Sequence, residues 1–286
     1  MSKTRTWHHS PDYTAKQGNF NHSYHLEMVQ DQERVSRSML ALEECLIPGG
    51  VHAEMGVGSG IFLIKAAKTC RKVYGVEIDP EILSIAQANI QKSGFDNKID
   101  LILGDATKVQ LPEKADTIFS ETMSIWLIDE PMVPIMNHAR ENLLKPDGQL
   151  IPSKIINLVE LGHLDFNFHG IEVRTSIPQF TGIIPPRIMT TSHVFSEVDF
   201  TSQTDVAVDH SISINSLCSG IINCARLTSI VQFSPGVVFY STDSLMPRTI
   251  VPLQKDLRVE AGQTLSFRAA FRYRSDLNSA IFDVKD

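Results

Sequence analysis

The sequence VHAEMGVGSG, residues 51–60, decides the fold of this 286-residue chain. Glu54, Gly56, Gly58 and Gly60 stand at alternate positions, between the strand-like run VHAEM and the helical pattern of IFLIKAAK. Glycines at such a turn permit unusual backbone dihedral angles and let the backbone approach a ligand closely. The N-terminus of the following helix also offers unpaired N–H groups. The stretch therefore predicts a nucleotide-binding loop between a strand and a helix.

Acidic residues follow at the places where the next two strands end. Glu77 closes the strand KVYGVE, 17 residues after the last glycine of the loop, and its carboxylate suits both hydroxyls of a ribose. Asp105 and Ala106 follow the strand IDLIL, where we expect adenine. A dinucleotide fingerprint starting at Gly56 needs its third glycine at position 61, which is isoleucine. Adenosylmethionine is therefore favoured over NAD.

After this stretch, short apolar runs alternate with helical patterns: KVYGVEI, PEILSIAQANIQK, IDLIL, ADTIFSE and PMVPIMNHARENLL. This alternation predicts a parallel sheet with helices on both faces. From residue 153 the texture changes, and in residues 265–273 (LSFRAAFRY) apolar side chains alternate with Ser, Arg and Ala. That pattern is typical of an antiparallel strand.

The fold class we expect is α/β, with a Rossmann-like sheet followed by a C-terminal antiparallel, barrel-like β domain. Residues 1–45 would form an N-terminal segment with a helix covering the cofactor. Residues 46–152 would form the cofactor-binding domain, and residues 153–286 the substrate domain.

Composition limits the class of partner. The net charge of -7 argues against a nucleic-acid binder, because phosphates are neutralised by clustered Lys and Arg. The N-terminus has no apolar signal core, and no later stretch reaches the ~20 apolar residues that span a bilayer. The four cysteines lack metal-ligand spacing, so we expect no metal, reduced thiols and a cytoplasmic location.

The glycine loop, Glu77 and Gly104-Asp105-Ala106 together resemble the class I methyltransferase family. The resemblance implies a seven-stranded sheet and S-adenosyl-L-methionine as cofactor. The residues expected to bind that cofactor here are Glu54, Gly56, Gly58, Gly60, Glu77, Asp105 and Ala106.

Two further carboxylates follow the fourth strand, in the stretch ETMSIWLIDEPM. Glu121 and Glu130 are nine residues apart (130 - 121 = 9), so a loop between them would let both face one bound group. Paired carboxylates suit a guanidinium, whose planar fork carries five donors and whose pKa lies above ~12. We expect Glu121 and Glu130 to be the catalytic pair.

This stretch looks like the double-glutamate hairpin of the protein arginine methyltransferases, and HLEMVQDQER, residues 25–34, looks like that family's N-terminal helix. The resemblance implies that Arg34 pairs with the cofactor carboxylate. It also implies cofactor contacts for His25, Met28, Glu121 and Met132. The alternative for Arg34 is a helix-surface ion pair, and for the two methionines it is ordinary core packing.

The chain also departs from that family. Thr122, Ser124 and Ile125 replace its usual Trp, Gly and Tyr, which changes the shape of the substrate pocket. The family's Thr-His-Trp loop should fall near Leu245, without a histidine, so Asp31 would lack its imidazole partner. Residues 161–186 are short for the family's dimerisation arm, which weakens the case for a homodimer.

These losses favour a small guanidine, although an arginine residue in a peptide is also compatible. Two rival functions remain open. One keeps the cofactor but methylates another nitrogen, oxygen or carbon nucleophile of a metabolite. The other is a catalytically silent adenosylmethionine-binding subunit that acts through a partner.

Overall fold

The computed structural model describes residues 28–180 and 182–286. Its first sheet is wholly parallel, with strand order β3-β2-β1-β4-β5. The strands are β1 Val51–Met55, β2 Lys72–Glu77, β3 Ile99–Leu103, β4 Ala115–Ser120 and β5 Leu144–Ile151. The helices are α1 Gln32–Cys45, α2 Ile61–Ala67, α3 Pro80–Ser93 and α4 Met132–His138.

Local sequence signals set the ends of the helices. Asp79 caps α3 by accepting hydrogen bonds from the N–H groups of Glu81 and Ile82, and Pro80 occupies the first turn. Gly94 ends the helix at φ 77°. Every residue of β1 is buried, as expected for a central parallel strand. The predicted parallel sheet is therefore confirmed, and cap signals in the sequence account for both ends of α3.

The chain after β5 forms the antiparallel β domain, and this prediction is also confirmed. A seven-stranded sheet contains β10-β6-β13-β15-β9, with β11 paired to β6 and β14 paired to β13. Separate sheets contain β12-β16-β17 and the hairpin β7-β8. The strands are β6 Lys154–His163, β7 Asn167–Phe168, β8 Ile171–Glu172, β9 Ile177–Pro178, β10 Arg187–Ile188, β11 His193–Asp199, β12 Ala207–Asn215, β13 Gly220–Ser234, β14 Val237–Tyr240, β15 Thr249–Val259, β16 Thr264–Arg272 and β17 Ile281–Lys285.

One expectation about the sheet is wrong. The described residues form five parallel strands, not seven. After β5 the chain leaves this sheet and at once enters the antiparallel β domain, which we call the barrel. Lys154 opens β6 only three residues after Ile151 closes β5. The domain limits at 45/46 and 152/153 stay predictions.

Helix α1 connects the two halves of the molecule. It packs on α2 of the first half and on β13 and β14 of the barrel. Glu44 near its end accepts a hydrogen bond from Ser234 Oγ at 2.6 Å. The start of α1 lies beside the carboxyl ends of the parallel strands, where α/β sheets bind ligands.

Candidate active site

A cleft opens at the carboxyl ends of β1 to β4. It is lined by the glycine loop, by the strand ends that carry Glu77, Asp105 and Glu121, and by the start of α1. Other residues of its wall are Val35, Phe62, Ile78, Ile82, Thr122, Pro131 and Ile135. Residues that are far apart in the sequence therefore meet at one edge of the sheet, as the sequence predicted.

The glycine loop has the backbone geometry that only glycine adopts readily. Gly56, Gly58 and Gly60 have φ values of 85°, 51° and 79°. A Cβ atom on Gly56 would lie 2.6 Å from Thr122 Cγ2, so the loop also needs glycine for space. Gly60 is the N-cap of α2, and the loop therefore presents backbone N–H groups to the cleft.

Glu77 lies at the end of β2, and its carboxylate is fixed by backbone groups. Its Oε1 accepts hydrogen bonds from the N–H groups of Ile78 at 2.9 Å and Asp79 at 3.1 Å, and Oε2 accepts one from Gly58 at 3.4 Å. Burial raises the pKa of Glu77, although these hydrogen bonds work in the opposite direction. The orientation suits a pair of ribose hydroxyls.

Glu54 is a buried carboxyl that indicates the charge of the ligand suited to the cleft. Its side chain lines the cleft at 1% exposure, and Oε2 has no hydrogen-bond partner among the described residues. Burial, followed by the charges of Glu121 and Glu77, raises its pKa well above the ordinary value. An unpartnered buried carboxyl is costly unless a ligand group meets it. A cationic ligand such as the ammonium and sulfonium of S-adenosylmethionine fits this site.

Asp105 and Ala106 line the cleft after β3. Asp105 Oδ1 accepts hydrogen bonds from the N–H of Thr107 at 2.9 Å and from its hydroxyl at 2.7 Å. Burial works to raise the pKa of Asp105, but these bonds and the charges of Arg274 and Lys108 outweigh it and lower the pKa. Oδ1 of Asp105 is thus occupied by the neighbouring Thr107.

Arg34 and Glu121 form a buried ion pair at the centre of the cleft. Their side chains are 6% and 14% exposed, and both Nε and Nη2 of Arg34 contact Glu121 Oε1. Arg34 Nη1 also lies 2.9 Å from the sulfur of Met28. Burial raises the pKa of Glu121 although Arg34 opposes the shift. The arginine is therefore an ion-pairing residue inside the site and not on the helix surface.

Glu130 lies at the far end of the hairpin and lines the same cleft. Burial raises its pKa to about 8; Arg34 opposes the shift, whereas Glu121 and Asp129 add to it. The hydroxyl of Ser124 closes the hairpin by accepting the N–H groups of Asp129 at 3.1 Å and Glu130 at 3.3 Å. The electrostatic coupling of Glu130 to Arg34 and Glu121 indicates that the two glutamates share one site.

Trp126 anchors the hairpin in the barrel. Its side chain is completely buried, stacks on Phe195 and donates from Nε1 to the carbonyls of Leu158 and Thr228, each at 3.1 Å. Trp126 and Leu127 have φ values of 55° and 61°, which is the left-handed region. Such backbone strain persists only where surrounding contacts fix it. The barrel therefore sets the position of the hairpin.

A second cavity adjoins the cleft on the barrel side, with a volume of ≈ 520 Å³. Arg34, Asp129 and Glu130 line both spaces. Small-molecule pockets measure roughly 300–1,000 Å³. We call this space the acceptor cavity; its other walls come from Met123, Ser124, Ile125, Ser176, Pro178, Leu245, Met246, Pro247, Thr249, Asp276, Leu277 and Asn278.

Asp31, which was expected to lack an imidazole partner, is instead bound by backbone donors. Its Oδ2 accepts a hydrogen bond of 2.8 Å from the backbone N–H of Leu245, and Oδ1 accepts one from the N–H of Arg34 at 3.3 Å. A backbone donor thus occupies the place expected for an imidazole. No sequence signal marks this contact, because any residue at position 245 other than proline carries the same N–H.

The remaining predicted residues are placed as follows. Met28 lines the cleft, whereas Met132 is completely buried in the core next to Pro131. His25 lies outside the described residues. The cofactor and catalytic roles assigned to all these residues stay predictions.

Among the charged residues that line the site, Asp129 and Arg274 had no role in the sequence prediction. Asp129, next to Glu130, accepts the N–H of Leu277 at 2.7 Å, and Arg274 reaches the cleft from the barrel.

Within the described ranges, no group of three or more His, Cys, Asp or Glu side chains is arranged to hold a metal ion. No helix in the described part of the chain has the length and apolar character to cross a membrane.

Comparison with known proteins identifies related sequences and folds. A family profile for a methyltransferase domain matches residues 53–148. An uncharacterised protein of Methanocaldococcus jannaschii is 30% identical over 259 residues, which cover 90% of this chain and 94% of that protein. The arginine N(omega)-methyltransferase of Streptomyces achromogenes is 26% identical over 271 residues, covering 86% of this chain and 75% of that protein.

Two solved structures have the same fold. The PRMT1 enzyme-prozyme heterotetrameric complex with AdoHcy from Trypanosoma brucei matches with a TM-score of 0.77 at 22% identity, over 93% of this chain and 98% of that chain. Protein arginine methyltransferase 10 of Arabidopsis thaliana matches with a TM-score of 0.74 at 17% identity, over 92% and 97%. Both pair a parallel sheet with a β domain in the order seen here.

Proposed function

The chain belongs to the class I S-adenosylmethionine-dependent methyltransferases and resembles the protein arginine methyltransferases, and from this membership we propose that it methylates a guanidino nitrogen of a small molecule. The observation that carries the proposal is the position of Glu130. It lies on the wall shared by the cofactor cleft and the acceptor cavity, electrostatically coupled to Glu121. An acceptor held there would meet the methyl donor at the junction of the two spaces.

The two glutamates would bind the acceptor and orient it. Each carboxylate can accept N–H donors of a guanidinium, whose positive charge relieves the mutual repulsion of Glu121 and Glu130. The ionised pair would also concentrate electron density on the nitrogen that attacks. A strong base is not required beforehand, because methylation lowers the affinity of that nitrogen for its proton.

S-adenosylmethionine supplies an activated methyl group when it is bound. The chain itself would therefore contribute mainly by positioning the two reactants. Glu54, Glu77 and the glycine loop would hold the cofactor, with Arg34 at its carboxylate. Nε and Nη2 of Arg34 contact Glu121 in the structure, so the cofactor carboxylate would compete with Glu121 for this guanidinium.

The walls of the acceptor cavity support a small acceptor rather than a peptide. Strand β9 pairs with β15, where Ile177 lies opposite Ile250, and the N–H of Gln179 donates to the carbonyl of Arg248 at 2.7 Å. Residues 177–179 therefore lie against the barrel, and Ser176 and Pro178 line the cavity. The name of the Streptomyces relative, an arginine N(omega)-methyltransferase, supports a free guanidine as the acceptor class.

The test is turnover with a panel of small guanidines and amines, scored by release of S-adenosylhomocysteine. Glu121→Gln and Glu130→Gln should each lower kcat on a guanidine by about 100- to 1,000-fold, because each removes charge that the transition state needs. Glu141→Gln is the matched control, since Glu141 is an exposed residue paired with Arg140 and should keep full activity.

Three outcomes would contradict the proposal. Unchanged turnover of both glutamine variants on the best guanidine would remove the guanidine mechanism. Turnover with amines but not with guanidines would show that the acceptor is an amine. Binding of S-adenosylhomocysteine without turnover of any acceptor would favour a silent subunit.

A further inference from the structure

The cofactor cleft has one wall residue that comes from the barrel. Within the described ranges, every other residue lining the cleft lies between positions 28 and 135, whereas Arg274 follows β16 at the C-terminal end of the chain. Its side chain is exposed and forms no hydrogen bond or ion pair with the described part of the chain. Among the described residues, Arg274 thus borders the cofactor space as a long cation with no hydrogen-bond or ion-pair partner.

The backbone of Arg274 is held in an unfavourable conformation. Its φ of 63° lies in the left-handed region, which costs a non-glycine residue about 1 kcal/mol or more. Hydrogen bonds on either side fix this turn: Tyr273 N–H donates to Val206 at 3.0 Å, and Ser275 N–H donates to Ile128 at 2.9 Å. Because a glycine would relieve this strain, we infer that the side chain of Arg274 has a role of its own.

The surroundings of Arg274 indicate which part of a ligand it faces. Its charge acts on Asp105, the residue at the end of β3 where adenine is expected. Arg274 does not line the acceptor cavity, where Arg34 is the cation among the lining residues. Arg274 therefore shares the cofactor cleft with Asp105 and is not among the residues of the acceptor cavity.

We propose that Arg274 binds the adenosyl group of the cofactor from the barrel side, with its guanidinium laid against the adenine ring. A planar guanidinium stacks on aromatic faces and donates hydrogen bonds at the same time. The inference rests on the methyltransferase function and is independent of the guanidine acceptor. Because the same turn contacts Ile128 and Asp129 of the glutamate hairpin, Arg274 also joins cofactor binding to the position of that hairpin.

The test compares two ligands on two variants of the full chain by calorimetry. The ligands are S-adenosylhomocysteine and 5′-methylthioadenosine, which has the adenosyl group but not the amino acid. Arg274→Gly should weaken both by about tenfold, which corresponds to ~1.4 kcal/mol. Its Tm should equal or exceed that of the wild type, because glycine accepts the positive φ. The control, Arg272→Ala, changes an exposed arginine that does not line the cleft, and should bind both ligands normally.

Two results would overturn the assignment. If Arg274→Gly binds both ligands as tightly as the wild type, Arg274 has no role in cofactor binding. If only S-adenosylhomocysteine is weakened, the contact is with the amino acid and the adenine assignment is wrong. Failure of the wild type to bind either ligand would instead remove the cofactor site and with it the proposed function.

Discussion

Glu130 is the residue whose chemistry depends most on its surroundings. The sequence shows that residue 130 is a glutamate, but the pKa of Glu130, about 8, arises from its burial between the hairpin and α1. The same holds for Glu54, whose pKa is raised by burial and then by the charges of Glu121 and Glu77. The sequence therefore predicts that these acids lie at the carboxyl edge of the sheet, but it does not predict their protonation states.

The raised pKa of Glu130 predicts the pH dependence of the reaction. The acceptor guanidinium stays protonated throughout, so it needs the ionised form of Glu130. For a small guanidine, kcat/KM should rise about tenfold per pH unit from pH 6 and level off above about pH 8, because this parameter reports the free enzyme. The measurement is initial rate against pH with S-adenosylmethionine saturating.

Stability supplies a control that needs no acceptor. A carboxyl with a raised folded pKa contributes stability below its unfolded pKa of 4.5, and this contribution is lost as pH rises through about 8. Glu130→Gln should therefore raise the free energy of unfolding at pH 9 by about 2 kcal/mol and change it little at pH 4. A kcat/KM profile that is flat between pH 6 and 9, with no such stability difference, would contradict the assigned pKa.

Among the secondary-structure elements, those fixed by contacts within a few residues were predictable from the sequence, and those fixed by distant contacts were not. Helix α3 and the glycine loop were predictable because cap, proline and glycine signals act within a few residues. The bond between Asp31 and Leu245 joins residues 214 positions apart, and Trp126 is buried by strands of the barrel. Such contacts depend on how sheets pack, which one sequence does not reveal.

The glycine loop carries a prediction at this scale. Gly58→Val should reduce S-adenosylhomocysteine binding more than 100-fold, roughly 3 kcal/mol, because a β-branched residue resists φ 51° and fills the cleft. The matched control is Gly49→Val. Gly49 also has positive φ, at 72°, but a Cβ there meets nothing within 4 Å.

Calorimetry and thermal unfolding separate the two effects. Both variants should lose stability from backbone strain, and only Gly58→Val should lose the ligand. Near-normal binding by Gly58→Val would show that the loop does not approach the cofactor, whatever its effect on Tm.

At the scale of the whole molecule, α1 joins the cofactor cleft, the glutamate hairpin and the barrel. Arg34 contacts Glu121 of the sheet edge, Asp31 accepts the N–H of Leu245, and Glu44 accepts the hydroxyl of Ser234. Any ligand that draws Arg34 towards its own carboxylate must weaken the hold of Arg34 on Glu121. The two binding sites are therefore linked through one cation.

This linkage predicts that the cofactor prepares the acceptor site. Saturating S-adenosylhomocysteine, whose carboxylate competes for Arg34, should release Glu121 and tighten binding of a small guanidine by about tenfold, within the 5–150-fold range of site-to-site coupling. Calorimetry with and without the nucleoside measures the factor, and the guanidine must tighten S-adenosylhomocysteine by the same factor. In Arg34→Ala the coupling should vanish, because Glu121 is then free of the ion pair in both states. Equal guanidine affinity for the free and the loaded wild-type protein would mean that Arg34 does not restrain Glu121, and that the two sites bind their ligands independently.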